Sequence, residues 1–349
     1  MKKAAVIFIF LYVVSAFLLE SYSSAEGTVR IITDCSGARV EIPEEVGRVV
    51  STNNAFCAFM TAMGLHDRLI GAHGSFILHS WTRVFIDDVN RLMMFGYEPA
   101  PEALYKADAD LVVVNSRLYA EKLRSAGIPA IYFGYTDIDE MYYALSLMGE
   151  IFGDDSKSYV MRWQTFMNTT LENIAHDVAA IPADKRKSVY YVNASTSKGI
   201  YNTAGGGSFA EYWINTIGGE LVTSKYGDIS LMDREAVLSL MPDAVIISGY
   251  LAHQYKADIM NNPLWEEIPA VRNGEVHIMP TGLVGYEKFA VDLPILFTYS
   301  MTLLYPEHHS FDGVNELRKF YAEFYGRDFS DEFLANMLSC LNPDGTLMK

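Results

Sequence analysis

The chain has 349 residues, of which half are apolar and 20% are charged, and its formal net charge is -16 at pH 7. This length suits one large domain or two ordinary ones, and the apolar fraction is too high for a disordered chain. The acidic charge argues against nucleic acid as a partner, because binding to phosphates requires a basic face. Composition therefore indicates a globular protein with a well-developed core.

The first residues resemble a targeting segment. Met1-Lys2-Lys3 is basic, residues 4–19 are nearly all apolar, and Ser23-Ser24-Ala25 supplies small residues. This order is typical of a secretory signal peptide cleaved after Ala25. A permanent membrane anchor is the alternative, but the apolar run is slightly shorter than the roughly 18 residues of a membrane span. We therefore predict an exported protein with a signal peptide at residues 1–25.

Strands and helices alternate through the first half of the mature chain. Apolar runs predict strands at residues 29–33, 38–42, 48–51, 69–72, 110–114 and 127–133, and helices at about 55–63 and 119–125. This alternation is the pattern of a mainly parallel α/β sheet. Residues 26–153 are therefore predicted to form an N-terminal lobe.

A long helical stretch follows, from about residue 139 to residue 181, with a break at Gly153. Residues 156–180 contain neither glycine nor proline, and a helix of ~25 residues is ~37 Å long. Alternation then resumes, with strands at 188–192, 243–247 and 275–279 and helices at 208–217 and beyond 293. We predict a linking helix at 154–182 and a C-terminal lobe at 183–349.

The clearest internal signal is a repeat. Glu102 opens a short amphipathic helix and is followed eight residues later by Asp110 and a buried strand, and Glu235 and Asp243 have the same spacing and surroundings. Two such units at comparable places suggest a duplicated lobe. The predicted fold is therefore α/β, with two similar lobes of mainly parallel sheet joined by one long rigid helix and a ligand cleft between them.

Several segments in this order resemble the periplasmic substrate-binding proteins of ABC importers for iron-siderophores, haem and cobalamin. They include Met63-Gly-Leu-His-Asp-Arg-Leu-Ile-Gly71, the Glu235 unit and Asn262-Pro-Leu-Trp265, and the similarity covers nearly all of the mature chain. One departure is Asp108-Ala-Asp110, where the family usually has Pro-Asp. The resemblance implies a periplasmic binding protein that is not an enzyme and has no cofactor of its own. Its ligand would be an iron or cobalt chelate: a ferric siderophore, haem or a corrinoid.

The same resemblance implies a permease in the inner membrane as partner, contacted by one glutamate on each lobe. The matching positions are Glu102 and Glu235. Independently of the family, a carboxylate in the first turn of a helix is stabilised by the helix dipole and free to point outward. The alternative is that each glutamate only stabilises the start of its helix.

Ligands of open α/β sheets bind beyond the carboxyl ends of the strands, so the loops there supply the candidate residues. Arg117 follows a strand directly and suits an anionic group, and tyrosines in these loops could form an aromatic wall, although each is also compatible with simple packing. His73 and His79 are candidates for direct metal ligation. The predicted ligand-binding residues are Asn53, Tyr97, Arg117, Tyr201, Tyr250 and Tyr286.

Two further classes of protein stay open. A receptor for a bare metal ion requires three or four converging ligands, and a periplasmic hydrolase lacks a Gly-x-Ser-x-Gly motif here. Cys35, Cys57 and Cys340 permit one disulfide in an oxidising compartment, or else serve as small buried apolar residues. Because one long helix resists hinge bending, we expect only modest closure of the lobes.

Overall fold

The computed structural model describes residues 28–348. The predicted signal peptide at residues 1–25 lies outside the described residues. The fold begins with an antiparallel hairpin of β1 (Val29–Thr33) and β2 (Arg39–Pro43), which forms a sheet of its own. Among the described residues, no helix is both long enough and apolar enough to cross a membrane.

The N-terminal lobe contains a five-stranded parallel sheet. Its strands are β3 (Val49–Ser51), β4 (Leu69–His73), β5 (Met93–Phe95), β6 (Leu111–Val114) and β7 (Ala130–Tyr132). Its helices are α1 (Asn54–Ala62), α2 (Gly74–Ile77), α3 (Thr82–Phe85), α4 (Pro101–Ala107), α5 (Arg117–Ser125) and α6 (Ile138–Phe152). The strand order is β5-β4-β3-β6-β7, so the chain reverses direction across the sheet at β3.

The C-terminal lobe contains a four-stranded parallel sheet. Its strands are β8 (Ser188–Asn193), β9 (Glu220–Leu221), β10 (Ala244–Ser248) and β11 (Val276–Ile278), in the order β11-β10-β8-β9. Its helices are α8 (Phe209–Thr216), α9 (Arg234–Ser239), α10 (Ala252–Met260), α11 (Pro269–Arg272), α12 (Leu293–Leu304), α13 (Gly313–Tyr325) and α14 (Asp331–Leu338). The predicted fold class, α/β with mainly parallel sheets, is confirmed.

Between the sheets runs the 26-residue helix α7 (Asp154–Ala179). Gly153 separates it from α6 and has a φ of 93°, a left-handed conformation that glycine adopts without strain. The buried face of α7 packs against α6 on one side and α12 on the other. The indole nitrogen of Trp163 on this face donates to the carbonyl of Val291, 2.9 Å away. The linking helix is therefore packed against both lobes along its length.

One continuous apolar core contains residues of both lobes. It includes Val49 and Leu111 of the first sheet, Val189 and Ile246 of the second, and Trp163 of the linking helix. The last helices also reach across, because the Arg327 side chain donates to the Phe85 carbonyl at 2.8 Å. The lobe boundaries at 153 and 183 stay a prediction, since α13 and α14 contact segments on both sides.

All three cysteines are free thiols. Burial raises the pKa of Cys35 to about 11 and the pKa values of Cys57 and Cys340 to about 12. A thiol with so high a pKa is protonated at neutral pH and poorly reactive. Of the two roles considered for these cysteines, the small apolar side chain is the one seen here.

Candidate functional site

The carboxyl ends of both parallel sheets open onto one cleft between the lobes. The loop after β3 contributes Asn54, the loop after β8 contributes Ser195, and the loop after β10 contributes Tyr250. This is the edge at which open α/β sheets bind their ligands. The segment from Thr281 to Asp292, between β11 and α12, also enters the cleft, and we refer to it as the cleft loop.

The cleft is divided into two compartments. The inner compartment has a volume of about 130 Å³, and the aromatic compartment, lined by Tyr132, Tyr135 and Phe209, has a volume of about 290 Å³. Lys288 lines both of them and forms part of the division. A larger groove of about 670 Å³ between α7, α12 and α13 shares no residue with either compartment. Volume alone therefore does not identify the site, and the polar groups must do so.

A charged pair of the cleft loop faces the inner compartment. The Glu287 side chain is 6% exposed, and its Oε1 accepts a hydrogen bond from the Ser195 hydroxyl at 3.1 Å. The Lys288 ammonium lies 3.5 Å from the same oxygen and donates to Ser195 Oγ at 3.3 Å. Glu287 Oε2 is buried and has no hydrogen-bond partner within residues 28–348. A buried carboxylate oxygen without a donor is costly, so a ligand group that reached this atom would relieve that cost.

His79 lines the same compartment. Its Nδ1 atom is buried and has no partner in the described part of the chain. Burial lowers the pKa of His79 to about 4; the negative charge of Glu287 opposes this shift and the positive charge of Lys288 adds to it. The ring is therefore neutral at pH 7, and a neutral imidazole nitrogen is a common metal ligand.

The two candidate histidines differ in their surroundings. The ring of His73 stacks on that of Tyr97, with centroids 3.8 Å apart, and its Nδ1 is 2.6 Å from the Ser75 hydroxyl. This nitrogen already has a partner, whereas Nδ1 of His79 has none. Tyr97 itself is 61% exposed and lines both compartments. Of the two predicted histidines, the structure brings His79 to the cleft and makes His73 a support for Tyr97.

The remaining predicted residues of the N-terminal lobe lie at or beside the aromatic compartment. The Asn53 amide nitrogen donates to Asn115 Oδ1 at 2.6 Å and to the Phe133 carbonyl at 2.8 Å, and its Oδ1 caps helix α1. Its polar atoms are thus occupied in holding two loops together. The guanidinium of Arg117 lies 5.1 Å from the centre of the Tyr132 ring, on the exposed first turn of α5. Arg117 therefore stands behind Tyr132 rather than in the cavity lining.

Two of the predicted tyrosines pack away from both compartments, Tyr286 inside the core and Tyr201 against its edge. The ring of Tyr201 packs against Trp265 of the C-terminal lobe, at a centroid distance of 6.4 Å. Tyr286 is 1% exposed, and its hydroxyl lies 3.4 Å from that of Tyr321. The prediction that Tyr286 faces the ligand is corrected, because its ring is enclosed by apolar packing. Tyr201 is half-buried and lines neither compartment, and its role stays a prediction. Tyr250, by contrast, lines the inner compartment.

The lobes touch each other across the aromatic compartment. The Tyr135 hydroxyl, in the N-terminal lobe, donates to the carbonyl of Phe289 in the cleft loop. The ring of Phe289 stacks on Phe209, which opens helix α8. Phe289 has a φ of 51°, a left-handed conformation that is unfavourable for a side chain of this size. The cleft loop is therefore held in place by contacts from both lobes.

Sequence reasoning missed the charged pair of the site. The last of the predicted ligand-binding residues is Tyr286, one residue before Glu287. A signal was present, because Glu287 and Lys288 are the only charged residues between Met279 and Val291. Adjacent charges within an apolar segment that follows a strand are more consistent with a polar site than with core packing.

Metal-ligating side chains are sparse around the cleft. Within residues 28–348, no group of three or more His, Cys, Asp and Glu side chains lies close enough together to hold a metal ion. His79 and Glu287 both line the inner compartment, and each has one buried atom without a partner in residues 28–348. The arrangement can therefore complete the coordination of a metal that carries other ligands with it.

The repeated glutamates, Glu102 and Glu235, do not line the cleft but lie near its rim. A helix that leads into a parallel strand begins at the carboxyl edge of the sheet, so the first turns of α4 and α9 lie at the edge that forms the cleft. Glu102 is exposed in the first turn of α4. Glu235, in the first turn of α9, is bound by the neighbouring Arg234 at 2.8 Å, and this cation lowers its pKa.

Three solved structures share this fold. A periplasmic solute binding protein from Veillonella parvula has a TM-score of 0.72 and 19% identity, with 89% of this chain and 97% of that chain covered. MolA from Haemophilus influenzae, solved bound to molybdate, has a TM-score of 0.74 and 18% identity, covering 86% and 99%. CeuE from Helicobacter pylori, solved with Ni(II), has a TM-score of 0.74 and 17% identity, covering 88% and 99%.

Sequence comparison identifies the family. No curated protein sequence matches the chain. The sequence model of the family described as "Periplasmic binding protein" matches residues 93–282, which is more than half of the 349 residues. The matched region runs from β5 to the start of the cleft loop and so includes the linking helix and most of both sheets. The chain belongs to the periplasmic binding proteins, the solute receptors of ABC importers.

Proposed function

We propose that the protein binds a metal chelate in the cleft and delivers it to an ABC permease in the inner membrane. The observation that carries this proposal is that His79 and Glu287 line one small compartment and each has a buried atom, Nδ1 and Oε2 respectively, without a hydrogen-bond partner in residues 28–348. Imidazole nitrogen and carboxylate oxygen are ligands that iron and cobalt accept. A chelate with two open coordination positions can take both.

The number of donors favours a chelate over a bare ion. A bare ion is normally held by three or four protein side chains, whereas this compartment offers two. The chelator then supplies the remaining ligands. The binding of Ni(II) by CeuE and of molybdate by MolA supports only the general point that this fold accepts different inorganic ligands. A receptor for a bare divalent cation is the second candidate, because the same two donors serve it.

The size of the cleft limits the cargo. The inner compartment of about 130 Å³ is smaller than the ~300–1,000 Å³ of typical small-molecule sites. A ferric siderophore, haem or a corrinoid fits only if the two compartments merge. Lys288 lines both, and its side chain is 39% exposed and long enough to swing aside. We expect ligand binding to displace Lys288 from Ser195.

The decisive experiment is purification from the native host, followed by absorbance spectroscopy and mass spectrometry. Haem, corrinoid and ferric chelates have different absorbance spectra, so the bound species identifies the cargo. The apo protein is then titrated with that species, with haemin and with nickel chloride. We expect His79→Ala and Glu287→Gln each to weaken chelate binding by about tenfold or more, as loss of a metal ligand does.

The matched control is His176→Ala, on the exposed surface of α7, which should bind like the wild type. Equal affinity of wild type, His79→Ala and Glu287→Gln would contradict the proposal. Tight binding of nickel chloride without any chelate would favour the bare-ion receptor instead.

A further inference from the structure

Asp292 is a buried carboxyl at the junction of the cleft loop and helix α12. It is 1% exposed, and its Oδ2 accepts a hydrogen bond from the Tyr325 hydroxyl at 2.9 Å. Its other oxygen, Oδ1, has no partner in the described part of the chain. This group belongs to neither compartment of the cleft. A polar group of this kind requires an explanation beyond packing.

The surroundings of Asp292 consist of tyrosines rather than cations. Tyr321 and Tyr325 face it from α13, Tyr286 from the cleft loop and Tyr159 from α7. The Tyr159 hydroxyl is also buried without a partner. Arg162 and Glu323, which form an ion pair at 3.0 Å, act on Tyr159, and the buried thiol of Cys340 and the Tyr299 hydroxyl act on Tyr286.

Burial raises the pKa of Asp292 to about 7, and the hydroxyls of Tyr321 and Tyr325 oppose the rise by stabilising the charged form. A carboxyl with this pKa is divided between its two ionisation states at neutral pH. The ionised form needs donated hydrogen bonds, and the neutral form itself donates one. The two states therefore require different arrangements of the surrounding hydroxyls.

A chain of contacts connects these hydroxyls to the charged pair of the cleft. Tyr321 lies beside Asp292 and 3.4 Å from the Tyr286 hydroxyl, and Tyr286 is followed directly by Glu287. Gly282 packs against the same group, and a Cβ atom placed there would be 3.4 Å from Asp292 Oδ1 and in collision with Tyr321. The cleft loop thus packs against the tyrosines around Asp292 both near its start, at Gly282, and at its end, at Asp292.

We propose that Asp292 is a positioning residue of the ligand cleft. Through Tyr321 and Tyr286, its ionisation state sets how firmly the cleft loop, and with it Glu287 and Lys288, is held. The ionised carboxylate lacks a cation and favours loop opening, whereas the neutral acid favours the closed loop. This proposal depends on the proposed function at one point only, namely that Glu287 and Lys288 contact the cargo.

The test uses the ligand-free full chain and hydrogen exchange of cleft-loop amides from pH 5 to pH 8. Opening exposes Asp292 and returns its pKa toward 3.8, so linkage predicts that loop protection falls by up to about tenfold per pH unit and levels off above pH 7. Asp292→Asn removes the titrating group and should give the same loop protection across this range. Amides of α5 in the N-terminal lobe serve as the internal control.

A second variant keeps the test valid if Asp292→Asn fails to fold. Tyr325→Phe removes a donor to the charged form, so the levelling-off should move to a higher pH. Identical pH profiles in the wild type and Asp292→Asn, or an unmoved profile in Tyr325→Phe, would overturn the proposal. Because no ligand is present, these results are independent of whether the cleft binds a chelate.

Discussion

At the scale of single residues, the cleft is where the chain leaves buried polar atoms unsatisfied. Glu287 Oε2 and His79 Nδ1 both lack partners within residues 28–348, although backbone carbonyls of the cleft loop, at Phe289 and Val291, accept side-chain hydrogen bonds. Such atoms lower the stability of the ligand-free protein by about 1–3 kcal/mol each. A sequence that retains them at one site sacrifices stability for binding, as functional sites commonly do.

The lowered pKa of His79 has a consequence for stability. Its folded pKa of about 4 lies below the value of 6.5 for an unperturbed histidine. Between these values the unfolded chain binds a proton that the folded chain does not, so stability falls as the pH drops from 6.5 to 4. His79→Gln should reduce this acid loss by about 1–3 kcal/mol, measured by urea unfolding at several pH values.

Asp292 has the opposite effect on the pH dependence of stability. Because its pKa is raised in the folded protein, its contribution to stability increases as the pH drops through nearly the same range. The comparison must therefore be made between the wild type and the variant at each pH, rather than on the wild type alone. His176→Gln, at an exposed position, is the matched control and should leave the acid dependence unchanged. An unaltered slope in His79→Gln would show that the imidazole is not buried in solution.

The sequence predicted individual cleft residues only where a strand end places them. Tyr250 follows a predicted strand and lines the inner compartment, and Tyr97 lines it after β5, a strand that the sequence did not predict. Tyr286 was placed wrongly, because a tyrosine in a loop gives no indication of which side of its ring meets the core. Glu287 was missed for a related reason, since its role depends on contacts with Ser195 and His79 from distant parts of the chain.

At the scale of elements, the repeat explains why the two lobes are alike. Asp110 accepts hydrogen bonds from the backbone nitrogens of Gly47 and Arg48, both at 2.8 Å, just before β3. Asp243 accepts one from Ser188 nitrogen at 2.9 Å, at the start of β8. Each repeated aspartate thus fixes the start of the neighbouring central strand. The repeated spacing therefore revealed a structural anchor in addition to a surface glutamate.

The departure from the family's Pro-Asp turn leaves this anchor intact. Asp108 has a φ of 54° and Met241 has a φ of 47°, so both units turn through one left-handed residue before the aspartate. Strands β5 and β9 were not predicted, and β9, with two residues, is too short for a periodic pattern. The long elements were predicted well because their apolar periodicity extends over many residues.

The exposed glutamates of the repeat are proposed to dock the permease. Glu102→Ala combined with Glu235→Ala should leave chelate affinity unchanged, because neither residue lines the cleft. Transport in whole cells should fall by about tenfold or more, as loss of charged contacts at an interface does. The control pair is Glu121→Ala with Glu266→Ala, exposed on the two lobes. Normal uptake in cells carrying Glu102→Ala with Glu235→Ala would contradict a docking role for these glutamates.

At the scale of the whole molecule, the lobes are tied together more extensively than a single linking helix requires. The core is continuous from Val49 to Phe297 through α7. The C-terminal segment returns to the first lobe, where the Trp81 indole donates to the Leu341 carbonyl at 2.9 Å. Hinge motion between lobes would have to break these contacts together. Rearrangement of the cleft loop, whose Lys288 lines both compartments, is the smaller change.

Small-angle scattering of the free and ligand-loaded protein distinguishes movement of the cleft loop from hinge motion between the lobes. A chain of about 320 residues has a radius of gyration of about 20 Å, and loop movement alone should change it by less than about 1 Å. Trp163→Phe removes the hydrogen bond from α7 to Val291 while keeping the aromatic packing. The change in the radius of gyration on ligand binding should therefore be larger in that variant than in the wild type. A change of several ångströms in the wild type would show instead that the lobes themselves close, and that contacts such as Tyr135 to Phe289 form only in the closed state.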